Sequence, residues 1–163
     1  MDVLFIQTGG TIDKDYPRIT KGFAFEITTP AVKRILPRIN STFEYKVKTV
    51  LRKDSQEITY RDRKKIVTAC NAAVADKIIV THGTDTMIET AAALSGVPGK
   101  VIVLTGSMRP EKFSDSDAPL NIGVAVGAVQ TLKPGVYITL NGWVYPWEKV
   151  ARDYKTGQFV YKS

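Results

Sequence analysis

Hydroxyl side chains, most of them beside a glycine, occur in four short segments that each follow an apolar run. Glycine lets the backbone approach a ligand closely and leaves N–H groups free to bind an anionic oxygen. A hydroxyl beside such donors suits acyl transfer, because the nucleophile then lies next to the groups that stabilise the oxyanion. The four segments are residues 8–11 (TGGT), 54–57 (DSQE), 81–86 (THGTDT) and 105–110 (TGSMRP).

The same residues also have a structural interpretation. Thr11, Thr84 and Asp85 can be helix N-caps, since Ser, Thr and Asp are favoured there, and for any one of them alone we favour the cap. Two Gly-Thr pairs after two different strands shift the balance toward function. His82 lies between a buried strand and a glycine, which is more typical of a packed, hydrogen-bonded histidine than of a catalytic base.

Short apolar runs that alternate with segments of helical period predict the scaffold of these loops. The predicted class is α/β, a three-layer, mostly parallel sheet with helices on both faces, similar to flavodoxin and Rossmann folds. Ligands of such sheets bind outside the carboxyl ends of the strands. Strands are predicted at 3–7, 44–51, 77–81, 101–105 and 136–140, with a short last one at 158–161, and helices at 29–38, 59–76, 85–95 and 118–132.

Residues 13–28 are expected to form a mobile lid. The segment carries glycine, proline and many charges but little apolar periodicity, so few contacts should hold it down. Long irregular connections inside a compact domain are usually functional loops. The lid begins directly after the TGGT segment and therefore lies beside the candidate site.

Composition excludes several classes of function. The chain has one cysteine and one histidine, which leaves no internal disulfide and no Cys- or His-clustered metal site. TGGT is not a dinucleotide fingerprint and no phosphate-binding P-loop occurs, so we expect no cofactor and no metal. The net charge of +7 is spread along the chain, so nucleic-acid binding is not indicated.

No apolar run approaches the ~18 residues of a membrane span, and the first residues do not form a signal peptide. We therefore expect no contact with a membrane and a cytoplasmic location. A chain of 163 residues is close to the usual size of one domain.

Four motifs, taken in order, resemble the bacterial-type L-asparaginase family, and the resemblance spans residues 1 to about 150 of this chain. Members of that family typically carry a second, smaller C-terminal domain. The resemblance implies a single N-terminal-type domain over 1–163, with the C-terminal domain absent, as in a short branch of the family. The motifs are IQTGGTI at 6–12, DSQEI at 54–58, THGTDTMIETA at 81–91 and TGSMRP at 105–110.

The resemblance implies catalytic roles for several residues of this chain. Thr11 corresponds to the threonine that attacks the side-chain amide of the substrate. Thr84 and Asp85 correspond to the second catalytic pair of the family. Tyr16 is the candidate for the loop tyrosine that activates the first threonine, although this loop is shorter than usual and its spacing differs.

Substrate-binding roles follow from the same resemblance. Asp85 would bind the α-ammonium group of the substrate, while Ser55 and Gln56 would hold its α-carboxylate. Ser107 lies where the family places a small residue whose backbone lines the amide pocket. Gly10 and Gly83 would contribute backbone to the same pocket.

The cation of the site departs from the family pattern. Counting without gaps places Arg152 at the position of the family's catalytic lysine. An arginine keeps the positive charge but does not deprotonate at ordinary pH, so it cannot shuttle a proton. A gap of one or two residues would bring Lys149 or Lys155 into the role instead, and the sequence leaves this choice open.

The leading hypothesis is an amidohydrolase that converts L-asparagine and water to L-aspartate and ammonia, without a cofactor. The arginine and the missing domain favour an alternative, a non-catalytic domain that binds asparagine or aspartate. A third interpretation is an amidotransferase-type subunit that acts on charged tRNA. Homo-oligomerisation is expected in all three cases, and Asn-versus-Gln preference is not set by the sequence.

Overall fold

The computed structural model describes residues 2–16 and 25–162. Within these residues the strands β1 to β10 span Asp2–Gly9, Lys14–Asp15, Glu26–Ile27, Glu44–Lys53, Lys77–Thr81, Val101–Thr105, Gly135–Leu140, Trp143–Pro146, Val150–Arg152 and Phe159–Tyr161. The helices α1 to α4 span Val32–Arg38, Tyr60–Asn71, Met87–Leu94 and Ala118–Thr131. Short 3-10 turns cover Thr11–Asp13, Ser55–Glu57 and Trp147–Lys149.

A six-stranded sheet in the order β4-β1-β5-β6-β7-β8 forms the centre of the protein. The first five strands of that order are parallel, and only β8 runs antiparallel to its neighbour. The predicted mostly parallel sheet is confirmed. The central strands β5 and β6 are almost wholly apolar, as expected for parallel strands buried on both faces.

Helices cover both faces of the sheet, and each face has its own apolar core. On one face Ile66 of α2 and Leu94 of α3 pack with Ile78 and Ile102. On the other face Leu36 of α1 and Ile122 of α4 pack with Phe5 and Val103. The predicted three layers are therefore confirmed. No helix among the described residues is long and apolar enough to cross a membrane.

The helix boundaries differ from the predicted ones for identifiable reasons. Helix α1 begins at Val32 rather than at Thr29, because its N-cap residue is Ala31, whose N–H is bound by the distant Asp13 carboxylate. Helix α2 ends at Asn71 rather than near residue 76, and α3 begins only at Met87 because 82–86 form a loop.

Strand β8 was not predicted, although the sequence carries its signal. The turn between β7 and β8 consists of Asn141 and Gly142, and both have positive φ angles (53° and 83°). Asn-Gly between two strands is the preferred two-residue hairpin turn. Leu140 and Trp143 pair directly across it. The tail after β7 is thus a hairpin followed by the small β9–β10 sheet.

The base of the predicted lid is anchored, which corrects the expectation of an irregular segment. Strands β2 and β3 pair antiparallel, with Lys14 opposite Ile27. The Thr28 N–H donates to the Asp13 carbonyl over 3.0 Å. The middle of the predicted lid, residues 17–24, lies outside the described residues.

Candidate active site

The loops after β1 and β5 are in backbone contact at the carboxyl edge of the sheet. Gly10 has a φ of +85°, and a Cβ built on it would lie 2.3 Å from the Gly83 nitrogen. Only glycine tolerates both the positive φ and the close approach. Thr11 and Thr84 are the next residue of each loop, so this contact brings the two threonine-bearing loops together. Both are half-buried.

The loop after β4 joins the same cluster. A Cβ on Gly83 would lie 2.7 Å from the Ser55 hydroxyl, and the Thr86 hydroxyl donates to the Ser55 carbonyl over 2.7 Å. Ser55 is buried, whereas its neighbour Gln56 is exposed. The loops that carry Thr11, Ser55, Thr84 and Asp85 therefore adjoin one another, as the sequence motifs predict.

The fourth loop, after β6, is fixed by two residues that the sequence reasoning missed. Buried Asn121 donates to the Gly106 carbonyl and accepts the Asn141 N–H, at 3.0 Å each. The Asp117 carboxylate accepts the N–H groups of Met108 and Arg109. Ser107 is buried within this loop, and its hydroxyl donates to the Arg109 carbonyl.

Asp85 is the charged centre of the site, and both of its carboxylate oxygens are engaged. Gln56 Nε2 donates to Oδ2 over 2.8 Å, and an Arg152 guanidinium nitrogen donates to Oδ1. The Arg152 ion pair, followed by the Gln56 hydrogen bond, lowers the pKa of Asp85 below its usual value, against the opposing effect of partial burial. Asp85 is therefore an anion at neutral pH and a poor proton acceptor.

The structure places Arg152, rather than either lysine, against Asp85. Arg152 ends β9, where it pairs with Phe159 of β10, and its side chain is largely buried. Lys149 and Lys155 are exposed, and no ion pair of either is found in the part of the chain that the structure describes. Arg152 Nε is buried and has no hydrogen-bond partner among the described residues.

Tyr16 does not meet Thr11 in this structure. Its side chain is 68% exposed, and its ring lies 5.4 Å from that of Phe25 and 6.5 Å from that of Phe113. Over residues 2–16 and 25–162, no hydrogen bond joins the Tyr16 hydroxyl to Thr11. The predicted tyrosine–threonine contact therefore stays a prediction.

His82 supports the site from inside the core. It is fully buried, and its Nδ1–H donates to the Gly83 carbonyl over 2.7 Å, because a carbonyl can only accept. Its Nε2 then accepts the Thr90 hydroxyl at 2.9 Å, and that hydroxyl accepts from Arg63. Burial is the main cause that lowers the pKa of His82 from 6.5 to about 4. A neutral histidine thus orients the Gly83 peptide.

A second feature that sequence reasoning missed is the Lys14–Asp54 ion pair. Lys14 Nζ lies 2.8 Å from Asp54 Oδ2, which connects β2 to the loop after β4, and this contact is the main cause that lowers the pKa of Asp54. Asp54 also caps the Ser55–Glu57 turn, with Glu57 bonding back to its N–H. The sequence signal for this cap is the Asp-x-x-Glu pattern of residues 54–57, which does not predict the ion pair with Lys14.

The described residues contain no group of three or more His, Cys, Asp or Glu side chains that could hold a metal ion. What they bring together is a set of hydroxyls, backbone amides and one carboxylate–guanidinium pair. This combination can bind an amino acid and stabilise an oxyanion.

Comparisons with known proteins identify relatives of this chain. The sequence pattern of the family described as "Asparaginase, N-terminal" matches residues 2–156. The chain is 30% identical to a glutaminase-asparaginase of Acinetobacter glutaminasificans over 96% of its length, which covers 50% of that protein. It is 32% identical to one subunit of the glutamyl-tRNA(Gln) amidotransferase of Methanococcus maripaludis over 86% of its length, which covers 35% of that protein.

The solved structure of the thermostable L-asparaginase from Thermococcus kodakarensis superimposes with a TM-score of 0.87 at 29% identity. That comparison covers 99% of this chain and 51% of the other. Fold and site together define an α/β protein with paired threonine loops at the carboxyl edge of its sheet. The chain belongs to the asparaginase family. It spans about half the length of the asparaginases it matches.

Replacing Gly10 by alanine should disrupt the contact between the two threonine loops. Backbone strain at a positive φ costs about 1–3 kcal/mol, and forced overpacking costs a similar amount. We expect Gly10→Ala to lower the free energy of unfolding by on the order of 3 kcal/mol, measured by urea denaturation. The matched control is Gly127→Ala on the exposed face of α4, where nothing lies within 4 Å. An alanine there should raise stability slightly.

The buried neutral state of His82 predicts a pH-dependent stability. Below pH 6.5 the unfolded chain binds a proton at His82, but the folded chain does so only near pH 4, so stability falls as the pH drops through this window. Relative to His82→Gln, the wild type should lose about 3 kcal/mol between pH 7 and pH 4. Other titrating groups are common to both chains and cancel in the difference. A difference that does not change with pH would contradict a buried neutral histidine.

Proposed function

We propose that the protein hydrolyses the side-chain amide of L-asparagine to L-aspartate and ammonia. The observation that carries the proposal is the backbone contact between Gly10 and Gly83, which joins the loop of Thr11 to the loop of Thr84 and Asp85. The family to which the chain belongs supports the reaction class. The chain spans about half the length of its asparaginase relatives, so the activity has to be measured on this chain itself.

Substrate binding uses the charged and polar groups of the cluster. We propose that Asp85 binds the α-ammonium group, while Ser55 and Gln56 hold the α-carboxylate. Gln56 already donates to Asp85, so the same side chain orients the carboxylate that meets the substrate. The backbone of Gly83 and Ser107 would line the amide pocket.

The chemical step is proposed as nucleophilic attack by Thr11. The Thr11 oxygen adds to the amide carbon, and the hydroxyl proton passes to a base. Backbone N–H groups near Gly10 and Thr84 stabilise the oxyanion, each typically worth about 2.7–4 kcal/mol. The C–N bond then breaks as the nitrogen takes up a proton and leaves as ammonia. Water hydrolyses the resulting Thr11 ester to give L-aspartate.

The first base is proposed to be Tyr16. A threonine hydroxyl is a weak nucleophile unless a neighbour takes its proton. Asp85 suits this role poorly because its ion pair with Arg152 stabilises the carboxylate. To reach Thr11, the Tyr16 side chain would leave its contacts with Phe25 and Phe113 when substrate binds.

A second candidate function is a binding domain for asparagine or aspartate without catalysis. The Arg152–Asp85 ion pair favours it, because a permanently charged guanidinium cannot relay a proton as a lysine can. An amidotransferase-type subunit is a third candidate, supported by the similarity to the archaeal amidotransferase. For each case we propose a homo-oligomer that works in the cytoplasm.

Ammonia release from asparagine separates the first two candidates. The purified chain should release ammonia from millimolar L-asparagine, and Thr11→Ala and Thr84→Ala should each lower kcat by at least about a thousandfold. Thr42→Ala, an exposed threonine ahead of β4, is the matched control and should leave the rate unchanged. Tight aspartate binding without any ammonia release would instead establish the binding domain.

The role of the cation is tested by Arg152→Lys. If Arg152 acts at the substrate through Asp85, this change should alter the rate on asparagine by tenfold or more, which is about 1.4 kcal/mol in the barrier. Lys162→Ala, an exposed cation after β10, serves as control. Equal rates for the wild type, Arg152→Lys and Arg152→Ala would show that Arg152 has no role in the reaction.

A further inference from the structure

A buried carboxylate ends the turn that carries Thr11. Asp13 is 0% exposed, and its Oδ1 accepts the Ala31 N–H at the start of α1 over 2.7 Å. Its Oδ2 is also buried and has no hydrogen-bond partner among the described residues. An ionised, half-satisfied carboxylate costs free energy in the core, so its presence needs a reason.

The backbone of the same turn is held from several sides. The Asp13 N–H donates to the Gly10 carbonyl and its own carbonyl accepts the Thr28 N–H. The Glu111 N–H donates to the Ile12 carbonyl over 3.2 Å. These bonds fix the turn to the lid base and to the loop after β6. Toward α1 the turn packs through buried Ile12, and the described residues add one hydrogen bond, from the Ala31 N–H to the Asp13 carboxylate. That bond depends on a charge.

Charged groups from two further elements face Asp13. Glu111 has a side chain that is 1% exposed, and its carboxylate is bound by Arg34 and by Arg38 of α1, the latter at 3.1 Å. Burial is the main cause that raises the pKa of Asp13 from 3.8 to about 6, with a smaller contribution from Glu111. The Ala31 N–H, the Gln7 side chain and Arg34 act in the opposite direction. The side chains that act on the Asp13 carboxylate are thus Gln7 of β1, Arg34 of α1 and Glu111. Arg38 of α1 binds Glu111, and Lys112 of the β6 loop pairs with Asp15 of β2.

We propose that Asp13 is a positioning residue for Thr11, and that its ionised carboxylate holds the nucleophile's turn against α1 while protonation loosens that hold. The inference rests on the proposed function, since it assigns Thr11 the attacking role. Asp13 itself touches neither substrate nor reacting atoms in this mechanism. It acts two residues away, through the rigid Thr11–Asp13 turn.

The charge state controls the hold because hydrogen bonds to an ionised acceptor are about twice as strong as neutral ones. Above about pH 6 the folded carboxyl is ionised, and the Ala31 N–H binds an anion. Below it the group is neutral, and the added proton is buried at an oxygen without an acceptor. Activity should therefore fall as the pH drops through about 6. Stability changes in the opposite sense, because an acid with a raised pKa stabilises the fold when it is protonated.

Asp13→Asn removes the charge and keeps the shape and one acceptor oxygen. In the wild type, kcat on asparagine should fall about tenfold from pH 7.5 to pH 5, as expected for one proton taken up near pH 6. In Asp13→Asn this decline should be less than twofold, and kcat at pH 7.5 should already be about as low as that of the wild type at pH 5. Asp115→Asn, an exposed carboxylate of the β6 loop, should behave as the wild type. An unaltered tenfold decline in Asp13→Asn overturns the proposal.

The Glu111→Gln variant provides an independent test of the Asp13 titration. Removing the neighbouring anion should lower the pKa of Asp13, so the activity midpoint should move to lower pH rather than vanish. Circular dichroism at each pH confirms that the variant is folded before its midpoint is read. A midpoint that stays in place or rises contradicts the assignment of that titration to Asp13.

Two readouts do not need catalysis. The melting temperature of Asp13→Asn relative to the wild type should rise between pH 5 and pH 7.5, because only the wild type then carries the buried charge. Aspartate affinity of the wild type should weaken below pH 6, and that of Asp13→Asn should not. If no chain releases ammonia, the proposed function fails while these measurements still decide the role of Asp13. A melting-temperature difference and an affinity that are both independent of pH overturn it.

Discussion

The close backbone approach of Gly10 to Gly83 is the constraint on which the candidate site depends. Parallel strands bring their carboxyl ends to one edge, but the loops that follow need not touch. Here the two loops meet at Gly10 and Gly83, which have no Cβ atoms, and Gly83 also lies against Ser55. The segments that lead into the two threonines are consequently in direct backbone contact. The placement of the candidate residues is therefore set by main-chain contact first and by side chains second.

Buried polar groups extend that constraint into the core. Arg63, Thr90 and His82 form a chain of hydrogen bonds that ends on the Gly83 carbonyl, so helices α2 and α3 orient a peptide of the site. Asn121 does the same for the loop after β6. Because each of these groups is satisfied, the polar residues rigidify the edge instead of weakening the core.

Sequence reasoning recovered the layers, and it identified the loops that meet at one edge of the sheet, because both depend on local signals. The apolar runs of β5 and β6 mark buried parallel strands, and strand-end glycines mark close backbone approach. It failed where a residue acts at a distance. The Asp13 bond to Ala31 joins residues 18 apart in sequence and moved the start of α1, and the exposed position of Tyr16 follows from tertiary contacts. The Asn141–Gly142 turn between β7 and β8 could have been predicted from the sequence but was missed.

The hairpin of β9 and β10 couples packing to electrostatics. Arg152 reaches Asp85 from a strand whose neighbours Val150 and Phe159 are buried in the core beneath it, and the Phe159 carbonyl is tied down by the Tyr145 hydroxyl. Buried Val150 and Phe159 therefore form an apolar base that sets the position of the guanidinium. A change in the volume of that base, with no charge added or removed, would shift the local potential at Asp85. The hydrophobic residues of the hairpin thus influence the electrostatic potential at Asp85, as the charged residues do.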